Sequence, residues 1–244
     1  MRILDFIRKE ISGWSRWELT WLIVACATII SLSLYWKDSL MGIISATSGV
    51  AAVVCMGKGK RITYIFGLIN VTLYAIISYG SKFYGEVMLN ALYFLPMQFY
   101  GFYLWTKNMD TATNEVIKKR MTARQLITTL SITALLSVCY GSFLAKLGGN
   151  LPYLDSFSTV TSVVAMIISV KRFAEQWLLW ILINVVSIIM WANAFLIQGS
   201  DGIATLLMWC VYLLNSIIMY AKWMKEEDSK NTFQRDRKGN HIKE

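Results

Sequence analysis

Residues 174–198 read AEQWLLWILINVVSIIMWANAFLIQ, an almost uninterrupted apolar run whose one charged side chain, Glu175, lies near its start. About 20 predominantly apolar residues are enough to cross a bilayer as an α-helix. Within the run, indole and polar side chains recur at helical spacing and therefore share one face. These side chains are Trp177, Trp180, Asn184, Ser187 and Trp191. The run predicts a membrane-spanning helix with one face that differs from the rest of its surface.

The rest of the chain has the same apolar character. Of 244 residues, 56% are hydrophobic and only 16% are charged, and the mean hydropathy is +0.48. Soluble domains carry about 25% charged residues, so this composition predicts an all-α integral membrane protein. Eight segments are candidate spans: 17–36, 38–56, 62–80, 83–105, 125–147, 156–170, 174–198 and 202–223. The first segment is the weakest candidate.

The basic residues predict how these segments are oriented. With both termini inside, all but three of the 24 lysines and arginines fall on the inner side, and only Lys37, Lys82 and Lys146 lie outside. This asymmetry follows the positive-inside rule and predicts a multi-pass protein with a cytoplasmic C-terminus. The net charge of +9 does not indicate nucleic-acid binding, because the basic residues are spread over short loops rather than gathered on one soluble face.

The chain also contains an internal duplication. TSGVA at 47–51 resembles TSVVA at 161–165, GLIN at 67–70 resembles ILIN at 181–184, and YLWTK at 103–107 resembles AKWMK at 221–225. Three matches in the same order predict that segments 2–4 repeat as segments 6–8, with the fifth segment linking two halves of equal orientation. A 3+1+3 parallel-repeat bundle of this kind binds its substrate near the midplane, between the repeats.

The predicted organisation has five parts. They are an amphipathic stretch with the first membrane helix (1–37), a three-helix repeat (38–107), a cytoplasmic loop with a linker helix (108–150), a second three-helix repeat (151–225) and a charged cytoplasmic tail (226–244). The first part makes an extra N-terminal helix in front of the repeats. Its amphipathic stretch is suited to lie on the membrane surface among the lipids.

Polar side chains inside spanning helices are costly unless they face the bundle or a cavity, so each one is a candidate for substrate binding. Besides 174–198, the segment 83–105 presents amides and a phenol on one side. Segments 62–80 and 202–223 carry similar faces. The predicted substrate-binding residues are Trp177, Trp180, Asn184, Gln98, Asn90, Tyr93, Asn70, Tyr212 and Asn215.

Structural roles compete with this interpretation. Trp177 is equally suited to an aromatic belt at the membrane interface. Asn90 and Gln98 can join helices by hydrogen bonds, which are typically worth about 0.6 to 2 kcal/mol in membranes. Asn70 is repeated by Asn184 in the second half, so this pair can serve packing.

Ionisable side chains are missing from the depth of the segments, since Glu86 lies about one turn from its segment's end. A proton relay or a carboxylate site for a cation is therefore not expected. His241, the only histidine, lies in the charged tail, and the four cysteines stand singly in apolar segments. Neither a catalytic metal nor a disulfide nor a cofactor is predicted, and a membrane enzyme would lack its nucleophile and base.

A pocket of indoles, phenols and carboxamides without full charges suits a planar ring that carries hydroxyl groups. Indole faces attract a cationic aromatic ring, and amides pair with amides and sugar hydroxyls. The residues alone predict a carrier of a small uncharged or cationic metabolite. A membrane sensor or a structural membrane protein is the alternative from another class.

Three groups of residues resemble the PnuC family of nicotinamide riboside transporters, which are related in architecture to the SWEET sugar carriers. The groups are Trp177-x-x-Trp180 with Asn184, Asn90-x-x-Tyr93 with Gln98 and Gly101-x-x-x-Trp105, and Tyr212-x-x-Asn215. The resemblance covers about residues 38–225.

The resemblance implies facilitated diffusion of nicotinamide riboside across the bacterial inner membrane. It also implies trapping of the riboside by cytoplasmic phosphorylation, and a homotrimer. The riboside has a cationic pyridinium, a carboxamide and a ribose, each with a suitable partner type in the chain. Thiamine, another cationic aromatic, and sugars are alternative substrates that the residues do not separate from the riboside.

Overall fold

The computed structural model describes residues 3–80, 84–146, 152–198 and 203–240, and these are helical apart from short connections and isolated bridges. The helices are α1 (Ile3–Ile11), α2 (Arg16–Tyr35), α3 (Leu40–Lys58), α4 (Thr63–Gly80), α5 (Tyr84–Met88), a π-helical segment (Leu89–Phe94), α6 (Leu95–Thr106), α7 (Ala123–Lys146), α8 (Pro152–Val170), α9 (Gln176–Gln198) and α10 (Ile203–Asn240). The prediction of an all-α chain is therefore confirmed.

Seven of the described helices are long and apolar enough to cross a membrane: α2, α3, α4, α7, α8, α9 and α10. We expected the predicted fourth span, 83–105, to form one regular helix, and this prediction is wrong. The π-helical segment Leu89–Phe94 divides it into α5 and α6, and Pro96 stands in the first turn of α6. Proline has no N–H to donate within a helix, so the local hydrogen-bonding pattern changes around it.

Two other boundaries differ from the sequence-based prediction. The sixth span begins at Pro152 rather than at 156. The last helix continues to Asn240, so much of the predicted charged tail, 226–244, extends α10 rather than following it as a separate segment. The first span, predicted at 17–36, begins with a capping box in which the Ser15 hydroxyl accepts from the N–H of Glu18, and the Glu18 carboxylate accepts from the N–H of Ser15.

The ends of α3 and α8 are closed by the same turn. Gly59 (φ 80°) and Arg172 (φ 71°) both adopt the left-handed conformation. Each donates its N–H to the carbonyl three residues earlier at 2.9 Å, and the next residue donates five residues back at 2.9 and 3.0 Å. This pairing terminates a helix by satisfying its last carbonyls. The two turns lie within one residue of corresponding positions in the predicted repeat.

Two buried tryptophans also occupy corresponding positions. The indole of Trp105 in α6 donates to the carbonyl of Ser169 in α8 at 3.3 Å, and that of Trp223 in α10 donates to the carbonyl of Gly57 in α3 at 2.8 Å. Each indole also meets another ring edge-on, Tyr64 at 5.2 Å and Trp177 at 5.8 Å respectively. Each half of the chain is thus joined to the other by the same kind of contact.

We call the end of the bundle that carries these turns the basic end, because Lys58, Lys60, Arg61, Lys171 and Arg172 lie there. The linker between α6 and α7 crosses it. The N–H of Val116 donates to the carbonyl of Gly59, and the N–H of Lys119 donates to that of Arg172, both at 2.9 Å. The linker therefore ties the two helix-ending turns together.

A closed ring of alternating charges includes two side chains of this linker at the basic end. Its ion pairs are Glu18–Lys58 (3.1 Å), Lys58–Glu115 (3.0 Å), Glu115–Lys118 (3.3 Å), Lys118–Glu226, Glu226–Lys222 (3.8 Å) and Lys222–Glu18 (2.6 Å). The ring joins α2, α3, the linker and α10. Beside it, Arg61 pairs with the buried Glu10 of α1 at 2.9 Å. Networks of this kind hold helix ends more firmly than isolated surface pairs do.

Close packing of α4 against α6 depends on Gly101. A Cβ added there would overlap the ring of the buried Tyr64. We expect Gly101→Ala to lower the midpoint of thermal unfolding in detergent, because overpacking a core typically costs about 1 to 3 kcal/mol. Gly80→Ala is the matched control, since nothing lies within 4 Å of the added atom. Equal midpoints for the two variants would contradict the packing described here.

Candidate functional site

A cavity lies between α3, α4, α5, the π-helical segment, α6, α8, α9 and α10. Its volume, including the opening, is about 910 Å³. The structure places seven of the nine predicted binding residues on its wall: Asn70, Asn90, Gln98, Trp177, Trp180, Asn184 and Tyr212. These residues come from both halves of the chain, so the cavity exists only when the halves pack together.

The aromatic part of the wall centres on Trp180. Its indole N–H donates to the Ser169 hydroxyl at 3.0 Å, which fixes the ring, and Phe94 lies beside it with 6.3 Å between centroids. Trp177, one turn earlier on α9, is buried and meets Trp223 edge-on. The wall therefore presents an aromatic face held in place by a hydrogen bond from its edge.

Asn184 is a deeply buried polar side chain of the cavity wall. It is only 1% exposed, and its amide N–H donates to the Ser216 hydroxyl at 3.0 Å. Its carbonyl oxygen has no hydrogen-bond partner among the described residues. A buried acceptor without a partner costs free energy, so the orientation of Asn184 leaves an acceptor available for an N–H or O–H group entering the cavity.

Asn70 and Tyr212 meet on the opposite part of the wall. The Asn70 amide donates to the Ser45 carbonyl at 2.9 Å, and the Tyr212 hydroxyl donates to the Asn70 carbonyl at 3.5 Å. A Cβ on Gly49 would overlap the Tyr212 hydroxyl and crowd Asn70. A glycine at position 49 therefore allows both polar side chains to reach the cavity.

Asn90 and Gln98 bond to the backbone of their own helix. The Asn90 amide donates to the carbonyl of Glu86 at 2.8 Å, and the Gln98 amide donates to that of Phe94 at 3.3 Å. Each bond uses an amide N–H, so the side-chain carbonyl oxygens and the second N–H of Gln98 remain available to other partners.

On the side of the cavity away from the basic end, a second set of rings closes the bundle. The indole of Trp191 donates to the hydroxyl of Tyr74 at 2.9 Å, and Trp209 packs edge-on against both Tyr74 and Tyr212. Together with the indoles at the basic end, these rings place the cavity between two aromatic layers.

Among the described residues, no group of three or more His, Cys, Asp or Glu could hold a metal ion. The polar and aromatic side chains of the wall are amides, hydroxyls, rings and one carboxylate, and aliphatic and methionine side chains line the rest. The arrangement can stack a flat ring and pair with amide or hydroxyl groups.

A sequence model of the family described as nicotinamide mononucleotide transporter matches residues 39–225. The chain belongs to this family. It is 39% identical over 222 residues to the nicotinamide riboside transporter PnuC of Neisseria mucosa, covering 89% of this chain and 84% of that protein. With PnuC of Haemophilus influenzae it shares 35% identity, covering 92% and 97% of the two chains. A crystal structure of the vitamin B3 transporter PnuC superposes with a TM-score of 0.83 at 38% identity, covering 92% of this chain and 97% of that one.

In this member of the family, Tyr93 and Asn215 lie outside the cavity wall, unlike the other seven predicted residues. The Tyr93 hydroxyl donates to the carbonyl of Val163 at 2.9 Å. The Asn215 amide donates to the carbonyl of Val53 at 3.1 Å, and its oxygen accepts from the indole of Trp21 at 3.3 Å. Both side chains join helices, which is the structural role that competes with ligand binding for polar groups in membranes.

Sequence reasoning missed Glu86, Phe94 and Met166, which all line the cavity. Glu86 was not expected to contribute because of its position near the end of its segment. The available signal was its spacing of four residues from Asn90, which puts both on one helix face. Phe94 and Met166 carry no such signal, because apolar residues also occupy ordinary packing positions.

Proposed function

We propose that the protein carries nicotinamide riboside across the bacterial inner membrane by facilitated diffusion. The observation that supports this most directly is the chemistry of the cavity wall. It combines an aromatic face, several carboxamides and one carboxylate, and among the described residues it holds no lysine or arginine. The relatives named above are riboside transporters by name.

The pyridinium ring of the riboside fits the aromatic part of the wall. Trp180 and Phe94 offer ring faces, and an indole attracts a cation over its face. The carboxylate of Glu86 adds negative charge to the same wall. The carbonyl oxygen of Asn184 can accept from the ligand carboxamide or from a ribose hydroxyl, and Asn70 and Gln98 offer further polar contacts.

The contacts between the two halves of the chain support alternating access in a 3+1+3 bundle. The turns at Gly59 and Arg172 and the indole bonds of Trp105 and Trp223 are paired in the way a parallel duplication would produce. A cavity between two repeats can open to either side when one repeat rocks against the other. Trapping by cytoplasmic phosphorylation, assembly as a homotrimer and a cytoplasmic C-terminus complete the proposal and follow from the family resemblance and the positive-inside rule.

The proposal predicts that the riboside binds and its 5′-phosphate does not. A phosphate would have to leave water without a compensating cation, which is costly. The test is a titration of the purified protein by its tryptophan fluorescence with nicotinamide riboside, nicotinamide mononucleotide and thiamine. Affinity for the mononucleotide should be at least about 100-fold weaker, since an unpaired buried charge costs several kcal/mol. Equal affinities for riboside and mononucleotide would refute the proposed substrate. Tighter binding of thiamine than of riboside would indicate thiamine as the substrate instead.

The proposed ligand contacts predict that Trp180→Ala and Asn184→Leu weaken riboside binding. Loss of stacking and cation–π contact should cost about 1 to 2 kcal/mol, or about 5- to 30-fold. Loss of the Asn184 acceptor should cost about 1 to 3 kcal/mol. Trp180→Phe should retain part of the affinity. The measurement is isothermal titration of each variant with riboside.

Matched controls for these variants lie outside the cavity. Trp17→Ala removes an indole that is 56% exposed, and Asn193→Leu changes an exposed amide on the same helix as Asn184. Both should keep wild-type affinity. If Trp180→Ala and Asn184→Leu lower thermal stability while affinity is unchanged, the two residues serve packing and the ligand binds elsewhere.

A further inference from the structure

A second cavity opens at the basic end, between α6, α7 and α8. Its volume is about 1170 Å³ including the mouth, and we call it the basic groove. Its walls are apolar side chains of the three helices, among them Leu104, Ile132, Val164 and Ile167. The groove is separate from the cavity described above and shares no lining residue with it.

The basic groove faces the surroundings of the bundle rather than its interior. Among the described helices, α7 packs extensively against α8 alone. Its other sides stay open, with Ile127, Ile132 and Leu135 at least half exposed. An apolar surface of this kind on a spanning helix is in contact with lipid chains. The groove is therefore a crevice in the lipid-facing surface, and the acyl chain of a lipid can enter it from within the bilayer.

The mouth of the groove carries three cations. Lys119 of the linker and Lys171 after α8 are exposed, and Arg172 is largely buried between them. The Arg172 guanidinium donates to the carbonyl of Ile117 at 3.0 Å, which fixes its position. Burial lowers the pKa of this guanidinium below its usual value. An anion at the mouth would counter the cost of that burial.

No carboxylate belongs to the described lining of the groove, so the three cations are not neutralised there. Glu175, which follows this turn, is already engaged by the N–H of Met121 at 3.0 Å and by Arg120 at 3.9 Å. The first turn of α7 also lies at the mouth, where Gln125 is a lining residue. The positive end of a helix dipole adds to the attraction for an anion.

We propose that the basic groove binds an anionic phospholipid of the inner leaflet. Its phosphate lies against Lys119, Lys171 and Arg172, and one acyl chain follows the apolar wall between α6 and α7. Two features favour a lipid over a soluble anion or a protein segment. The cations sit where a bilayer places its headgroups, by the positive-inside rule, and the apolar wall continues directly from them into the spanning region. Basic pockets between spanning helices on the cytoplasmic side bind anionic headgroups in this way.

Native mass spectrometry in detergent tests the proposal. The protein is titrated with phosphatidylglycerol and with phosphatidylcholine of the same acyl chains. Wild type should retain phosphatidylglycerol preferentially, and Lys119→Gln/Lys171→Gln should weaken that binding about 10- to 30-fold. Arg8→Gln/Lys9→Gln is the matched control, because it removes two exposed cations from α1, outside the groove. The control should bind as wild type does. Equal loss in both double variants, or no preference between the two lipids, would overturn the proposal.

A third variant separates a lipid from other occupants. Ile132→Trp fills the apolar wall and keeps every charge, and residue 132 is 50% exposed, so the fold tolerates the larger side chain. It should reduce phosphatidylglycerol binding while thermal stability stays unchanged. Glycerol 3-phosphate should compete poorly with phosphatidylglycerol, because it has no acyl chain to occupy the apolar wall. Full competition by glycerol 3-phosphate would indicate a soluble-anion site, and a change of oligomeric mass in Ile132→Trp would indicate that a second copy covers the groove. Either result contradicts the proposed lipid.

Discussion

A polar group inside the hydrocarbon layer has no water to bond with, so each one must find a protein partner or face a cavity that a ligand can fill. This constraint sorts the polar side chains of the bundle. Asn215, Trp105 and Trp223 donate to backbone carbonyls of neighbouring helices and hold the bundle together. Asn184 satisfies its donor on Ser216 and keeps its carbonyl oxygen for the cavity. Among the proposed substrate contacts, Asn184 thus offers a buried acceptor that the described part of the protein leaves without a partner.

Much of the fold followed from periodicity and charge. Apolar runs of spanning length fixed the helices, and helical spacing brought Trp177, Trp180 and Asn184 to one wall. Pro96 signalled an irregularity in this span, but the π-helical form and the bounds Leu89–Phe94 were not predictable, because they depend on how the packing around the proline redistributes backbone hydrogen bonds. Helical spacing also could not distinguish the role of Asn215, which joins two helices, from that of Asn184, which faces the cavity. Both lie on a helix face with other polar residues, and only the neighbouring helix decides which amide meets a carbonyl and which meets a cavity.

The two ends of the bundle serve different purposes in this account. At the basic end, the linker joins both helix-ending turns, and the ion-pair ring joins the linker to α2, α3 and α10. Opening the cavity toward that end would require these contacts to rearrange. Since Arg172 belongs both to one of the joined turns and to the mouth of the basic groove, a bound anionic lipid would lie next to these contacts. The opposite end is closed by rings, among which Trp191 donates to the Tyr74 hydroxyl at 2.9 Å.

Counterflow in proteoliposomes tests the central claim most directly. The claim is that the protein carries riboside through the cavity between the repeats without coupling to an ion gradient. Vesicles loaded with unlabelled riboside, with equal proton and sodium concentrations on both sides, are diluted into labelled riboside. The account predicts transient accumulation of label above its external concentration, because exchange through an alternating site needs no other driving force. Absence of counterflow, or uptake that requires an imposed proton or sodium gradient, would contradict it.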